Sequence, residues 1–195
     1  RGGHLREGLV AWQGQWCGLR VETQATEGST GFRRQSRALE LRGLRRWKPG
    51  LWVRPDNLTG GLPQLAADVA ALGASISGTV QLQPRDEDAR QQLQALWDTA
   101  QLDRQYRQAL KTLRAAHKRL NAGATRKNLR DTIEIGGAMI RKLLFDPLLP
   151  EAMLSGAHRR ELISALEKYE QAGQRVWQDF IERISDRPEQ HTSEP

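Results

Sequence analysis

The chain has 195 residues and a mass of 22.0 kDa, enough for one large domain or two small ones. Its hydrophobic content of 38% still builds a core around 6 Trp and 3 Phe, but no run approaches the ~18 apolar residues of a membrane span and the first residues carry no apolar signal segment. The lone Cys17 excludes an internal disulfide framework and a CxxC metal knuckle, so cytoplasmic residence is the simplest expectation, and the net charge of +7 favours a polyanionic partner.

Residues 15–23 alternate, with Cys17, Leu19 and Val21 on an apolar face, and read as a strand. Residues 24–31 read as a polar loop and 32–43 as a short helix, with Phe32, Ser36, Leu39 and Gly43 on one side and Arg33, Arg34 and Arg37 on the other. Pro49-Gly50 between Leu44–Trp47 and Leu51–Arg54 predicts a hairpin. Residues 62–73 read as a helix stopped by Gly73, and Ser75–Leu82 as a strand. The order β-α-β-β-α-β predicts a small ferredoxin-like domain.

Beyond Pro84 the pattern is helical. Asp86 is the expected cap of a helix running to about Thr99, followed by a helix over Leu102–Leu120. Thr125 caps the next, with Leu129, Ile133, Gly136, Ile140, Leu143 and Leu144 at helical spacing, until Asp146-Pro147 and Pro150 stop it. The last helix, from about His158 to Ile184, carries Leu162, Leu166, Tyr169, Val176, Trp177 and Phe180. The fold class is α+β: residues 1–11 as a linker, 12–84 as the ferredoxin-like domain, 85–185 as an all-helical C-terminal domain and 186–195 as a disordered tail.

Charge is unevenly placed. Residues 1–60 and 101–145 carry net +6 and +8, whereas 61–100 and 146–195 carry −3 and −4. Arg104, Arg107, Lys111, Arg114 and Lys118 recur at steps of three and four, forming one narrow stripe along a helix. Such a seam suits the phosphates of DNA or of an acyl-CoA; simple solvation, or pairing with Glu161, Glu167 and Glu170 of the last helix, are the plainer alternatives. Arg33, Arg34 and Arg37 form a second basic patch.

Motifs of catalysis are missing. His4, His117, His158 and His191 are scattered, with no HxH or HExxH; GxSxG, GxxxxGK[ST] and a strand-linked GxGxxG do not occur. No catalytic residue, metal site or cofactor is expected, and Cys17 reads as a small core residue. One enzyme alternative stays open. The small CRISPR-associated nucleases share the ferredoxin-like fold and place an acidic residue near the end of their first strand, where Glu22 falls here; a surface glutamate at a strand end is by far the plainer account of Glu22. A pure protein-interaction module is a third reading.

Four segments resemble one family in order and spacing. Trp12-Gln-Gly-Gln-Trp16 resembles a "W-x-G-x-W" entry to the first strand. Leu44–Pro55, with Pro49, Gly50, Trp52 and Pro55, resembles the hairpin "G-x-L-x-P-G-V-W-V-x-P" of phenylacetate-type (PaaX family) repressors. Trp97 with Tyr106 looks like their "L-W-x-L…Y" segment, and Arg141-Lys-Leu-Leu-Phe-Asp-Pro-Leu-Leu-Pro150 is similar to "R-x-x-L-x-D-P-x-L-P", placing Arg141, Asp146, Pro147 and Pro150. The main role of these residues is expected to be structural. The resemblance implies a cytoplasmic, homodimeric, non-enzymatic repressor whose winged helix would precede Arg1 and bind operator DNA, with an acyl-CoA such as phenylacetyl-CoA as inducer. The chain, which lacks an initiator Met, then reads as the ligand-sensing and dimerising portion. It departs from the family after Pro150, where "L-L-P-x-x-W-x-G" is not found.

Overall fold

The computed structural model describes residues 8–22, 28–123 and 125–185. The tail expected over 186–195, most of the linker expected over 1–11 and residues 24–27 of the expected loop lie outside them. In chain order the described residues form β1 (Trp16–Val21), α1 (Thr30–Leu41), β2 (Arg45–Lys48), β3 (Leu51–Pro55), α2 (Gly61–Ala71), β4 (Ile76–Leu82), α3 (Glu87–Gln94), α4 (Thr99–Asn121), α5 (Arg126–Leu144) and α6 (Ala157–Ser185). They divide into two compact units: the chain up to Arg104 with Lys142–Ala157, and Gln105–Arg141 with the chain from His158.

The first unit holds an antiparallel sheet of order β2-β3-β1-β4. With α1 and α2 in the two crossovers this is the ferredoxin-like connectivity, and the fold is α+β as the element order predicts. Local chemistry sets the ends. Ser29 accepts from Phe32 N at 3.2 Å and caps α1. Gly50 takes φ 69° in the hairpin turn. The Asp86 carboxylate accepts from Ala89 N at 2.8 Å and starts α3.

Cys17, Leu19, Val21 and Trp52 point from the sheet into a core with Leu39, Leu44, Leu65 and Val69 of the helical side. The opposite face is not the polar one that simple alternation implies. Trp16 is fully buried there with Val53, Leu93 and Trp97, and Trp12 meets it edge-on at 5.6 Å. Residues that follow the sheet in sequence return over this second face, which the alternation within β1 cannot reveal.

One helical expectation needs correction. The helix from Asp86 ends at Gln94, not near Thr99. Asp98 accepts from Gln101 N at 2.7 Å and starts a separate helix, α4, at Thr99. Along α5 the apolar residues are unequally covered: Leu129, Met139 and Leu143 are buried, whereas Ile133, Ile140 and Leu144 are 67%, 39% and 53% exposed.

In the second unit, Tyr106, Leu110, Leu113 and Leu120 of α4 are buried, as are Leu129 of α5 and Leu162, Leu166 and Tyr169 of α6. Trp177 Nε1 donates to Thr132 Oγ1 at 3.0 Å, and its ring meets Phe180 edge-on. A Cβ on Gly173 would stand 3.3 Å from Thr132 Cγ2, so the glycine gives α6 room beside α5.

Candidate functional site

The basic seam is set by the register of α4. Because Tyr106, Ala109, Leu110, Leu113 and Ala116 turn inward, Arg104, Arg107, Lys111, Arg114 and Lys118 fall on the exposed side. Arg114 is ion-paired with Glu161 of α6, so the acidic-helix alternative is realised at that position. Arg119, on a neighbouring line, pairs with Asp131 at 3.0 Å.

The second patch lies on the outer side of α1. Arg33 is exposed and donates to Thr30 Oγ1 at 3.4 Å. Arg34 reaches beside Gly73, where a Cβ would stand 3.4 Å from Nη2. The Arg37 guanidinium stacks 4.5 Å from the Phe145 ring centroid, a cation–π contact that engages it within its own unit.

Glu22 lies one residue past β1, beside a shallow concavity lined by Val21, Phe32, Gln35, Arg46, Gly50 and Trp52. The concavity holds about 310 Å³ of empty space, its open mouth included. Gln35 Nε2 donates to the Glu22 carbonyl at 3.2 Å, and Arg46 lies 5.8 Å from the Phe32 ring centroid. Among the described residues, no three His, Cys, Asp or Glu side chains are grouped to hold a metal ion.

Most motif residues form one interlocked structure. Trp12, Trp16 and Trp97 make the aromatic layer, Pro49 and Gly50 the hairpin turn, and Trp52 the helical-side core. Arg54 is 1% exposed and saturated with acceptors: Nε donates to the Pro55 carbonyl at 3.1 Å, Nη1 to the Arg42 carbonyl, and Nη2 to Asn57 Oδ1 at 3.0 Å and the Pro147 carbonyl at 3.3 Å. Asn57 Nδ2 donates to the Leu148 carbonyl at 2.8 Å. Asp146 accepts from Leu148 N at 2.9 Å, holding Leu148 at φ 51°. The Pro150 carbonyl accepts from Met153 N at 2.9 Å. Tyr106 is buried in the second unit and Arg141 is exposed on α5.

Burial pulls the Arg54 guanidinium down to about 10, with Arg42 adding to the fall and Cys17, Asp56 and Asp146 opposing it. Cys17 moves the other way. Burial first, then the hydrogen bond and charge of Asp56, push its thiol up to about 12 against the pull of Arg54. A thiol held so far from ionisation is a poor nucleophile.

A family model described as the PaaX-like protein C-terminal domain matches residues 97–183. The C-terminal region is PaaX-like. No curated protein matches the chain. Among solved structures, the uncharacterized protein Rv0674 from Mycobacterium tuberculosis is similar at 25% identity and a TM-score of 0.51, over 85% of this chain and 66% of that one. The PaaX-like region begins at Trp97 and takes in α4, α5, α6 and the segment Asp146–Pro150. The α4 seam therefore lies inside it, and the α1 patch and the β2–β3 hairpin lie outside. Sequence reasoning missed Arg54 and Asn57. The available signal was a cation placed directly after Leu51-Trp52-Val53, where an unpaired charge is costly to bury.

Proposed function

We propose that this chain is the ligand-sensing and dimerising portion of a transcriptional repressor of aromatic-acid catabolism. The observation that carries this reading is the PaaX-like match over residues 97–183, which supports a regulator family. The chain acts without catalysis, in the cytoplasm, as a homodimer, and operator DNA is the partner of the whole repressor. No helix among the described residues is long and apolar enough to cross a membrane.

The effector in this reading is an aryl-CoA thioester. Its phosphates lie along the α4 seam on Arg104, Arg107, Lys111 and Arg114, a row of exposed cations that suits several phosphate charges at once. Arg33, Arg34 and Arg37 of α1 are the alternative cradle, weakened by the stacking of Arg37 on Phe145. Thermal-shift measurement with phenylacetyl-CoA, other aryl-CoAs and free CoA tests the proposal. A ligand that binds only the folded state adds RT ln(1 + [L]/Kd), about 2.7 kcal/mol at a hundredfold excess over Kd. The expected result is an aryl-CoA shift that disappears in Arg107→Ala/Lys111→Ala while the unliganded variant still melts cooperatively. No shift with any CoA ester removes the effector assignment.

A further inference from the structure

Residues 104–130 contain nine Lys and Arg and no Asp or Glu. Four of those cations, Arg107, Lys111, Arg114 and Lys118, lie along one exposed line of α4 within the second unit. At ~1.5 Å per residue the line is about 16 Å long, with a positive charge every ~5 Å. The adjoining flank of the helix carries Gln108, Thr112 and Ala115, all exposed and all uncharged. The carboxylates of Glu161 and Asp131, which pair with Arg114 and Arg119, come from α6 and α5.

We propose that the α4 seam is a sequence-independent contact for the DNA backbone, made by this chain itself and separate from the contacts that read the operator. The proposal rests on the reading above, in which this chain works at operator DNA and an acyl-CoA lies on the same cations. It adds the regulation of that site: backbone phosphates and effector phosphates exclude each other, so effector binding releases the contact.

The shape of the seam identifies the occupant. Two adjacent cations suffice for a pyrophosphate, whereas a line of this length suits a polyanion that is itself linear and evenly charged. A DNA duplex presents one charge per ~1.7 Å of its axis, so it can meet every cation of the seam at once. A bilayer is a poorer fit, because the exposed residues of α4 include no apolar side chain larger than alanine. Arg114 and Glu161 are 62% and 46% exposed, so a phosphate can replace the glutamate without uncovering a buried charge.

Fluorescence anisotropy of a labelled ~20-base-pair duplex with the full chain, at ~50 and ~200 mM salt, tests the contact. Two unrelated sequences are expected to bind equally, because backbone contacts carry no sequence information. Four phosphate contacts weaken binding roughly a hundredfold between those salts; Lys111→Ala/Lys118→Ala leaves two, and the loss shrinks to roughly tenfold. Both lysines are exposed, so the melting temperature is expected to stay unchanged. Arg33→Ala/Arg34→Ala removes the same charge from α1 and is expected to keep the wild-type salt dependence. Phenylacetyl-CoA is expected to displace the duplex where an equal concentration of inorganic pyrophosphate does not. No binding at low salt, equal losses in the two double variants, or tighter binding of an RNA duplex of the same sequence overturns the proposal. Seam-dependent binding that phenylacetyl-CoA leaves untouched supports the contact and overturns only the shared effector site. A thermal shift with phenylacetyl-CoA but no duplex binding overturns only the contact.

Discussion

Arg54 Nη2 donates to the carbonyl oxygen of Pro147, 93 residues further along the chain, at 3.3 Å. That bond, with the one from Asn57 to Leu148, ties the irregular segment after α5 to the end of β3. The two most distinctive stretches of the sequence, the hairpin around Pro49-Gly50 and the run Asp146–Pro150, thus belong to one structure. A planar guanidinium satisfies four carbonyl acceptors in a space from which water is excluded.

Replacing Arg54 is therefore expected to destabilise strongly. Arg54→Leu strands the carbonyls of Arg42, Pro55 and Pro147 together with Asn57 Oδ1, and the loss is about 3–5 kcal/mol in urea denaturation. Arg54→Lys rescues little, because a single ammonium cannot span those acceptors. Asn57→Ala costs about 1–3 kcal/mol, and the Arg54/Asn57 double variant less than the sum, since the two share a bond. A lysine variant as stable as the wild type would show that the fork geometry is irrelevant.

Gly43 lies under the same clamp. It has φ 76°, and a Cβ there would stand 2.6 Å from the Pro147 carbonyl oxygen and 2.9 Å from Arg54 Nη1. The oxygen is backbone and cannot yield without releasing the segment. Gly43→Ala is expected to cost at least about 2 kcal/mol, combining backbone strain with the clash. Gly123→Ala, at φ 148° with nothing within 4 Å, suffers the backbone strain alone and is the control. Equal melting temperatures for the two variants would contradict the clamp.

Cys17 predicts a specific alkaline behaviour. Its folded pKa, about 12, is raised above the ordinary 9.0. The unfolded chain then loses its thiol proton first, so the stability Cys17 contributes is whole below pH 9 and is lost as pH rises toward 12. Arg54, lowered from 12.5 to about 10, has the opposite sign: its burial penalty is relieved as pH rises through 10. Between pH 9 and 10 Cys17 acts largely alone, and wild-type stability should fall more steeply there than that of Cys17→Ala. A thiol reagent at pH 8 should label the native chain far more slowly than the unfolded one; parallel stability curves or rapid native labelling would refute the assignment.

The fold was legible where residues alternate or recur around one core. β1 through β4, with α1 and α2, follow from periodicity and from the turn at Pro49-Gly50. The break between α3 and α4 was legible but overlooked, since Asp98 with Gln101 three residues on is a capping pattern. Trp16 was not legible as a doubly enclosed residue, because what covers it comes from Leu93 and Trp97, some eighty residues away. The Arg54 clamp joins positions 93 apart, and no local pattern carries it. The stripe of cations on α4 was fully legible, because its steps of three and four are the helix period itself. The partner of Arg114 was foreseen only as one of three acidic residues on α6.

That pair gives the α4 seam its sharpest test, because Glu161 and a bound phosphate would compete for Arg114. Both partners are well exposed, at 62% and 46%, so the pair contributes at most about 1 kcal/mol and is screened by salt. Arg114→Ala should barely move the melting temperature, and Lys111→Ala, exposed on the same line, should change stability by less than about 0.5 kcal/mol. Phenylacetyl-CoA affinity, read by calorimetry at low and moderate salt, should respond far more. Lys111→Ala is expected to weaken binding several-fold and flatten its salt dependence. Glu161→Gln should do the reverse, strengthening binding by freeing Arg114 while slightly lowering stability. A structural role for the seam predicts the same sign in stability and affinity for Glu161→Gln; the effector role predicts opposite signs. Affinities unchanged across all three variants would move the phosphates off α4, and Arg33→Ala/Arg34→Ala would then decide whether α1 holds them.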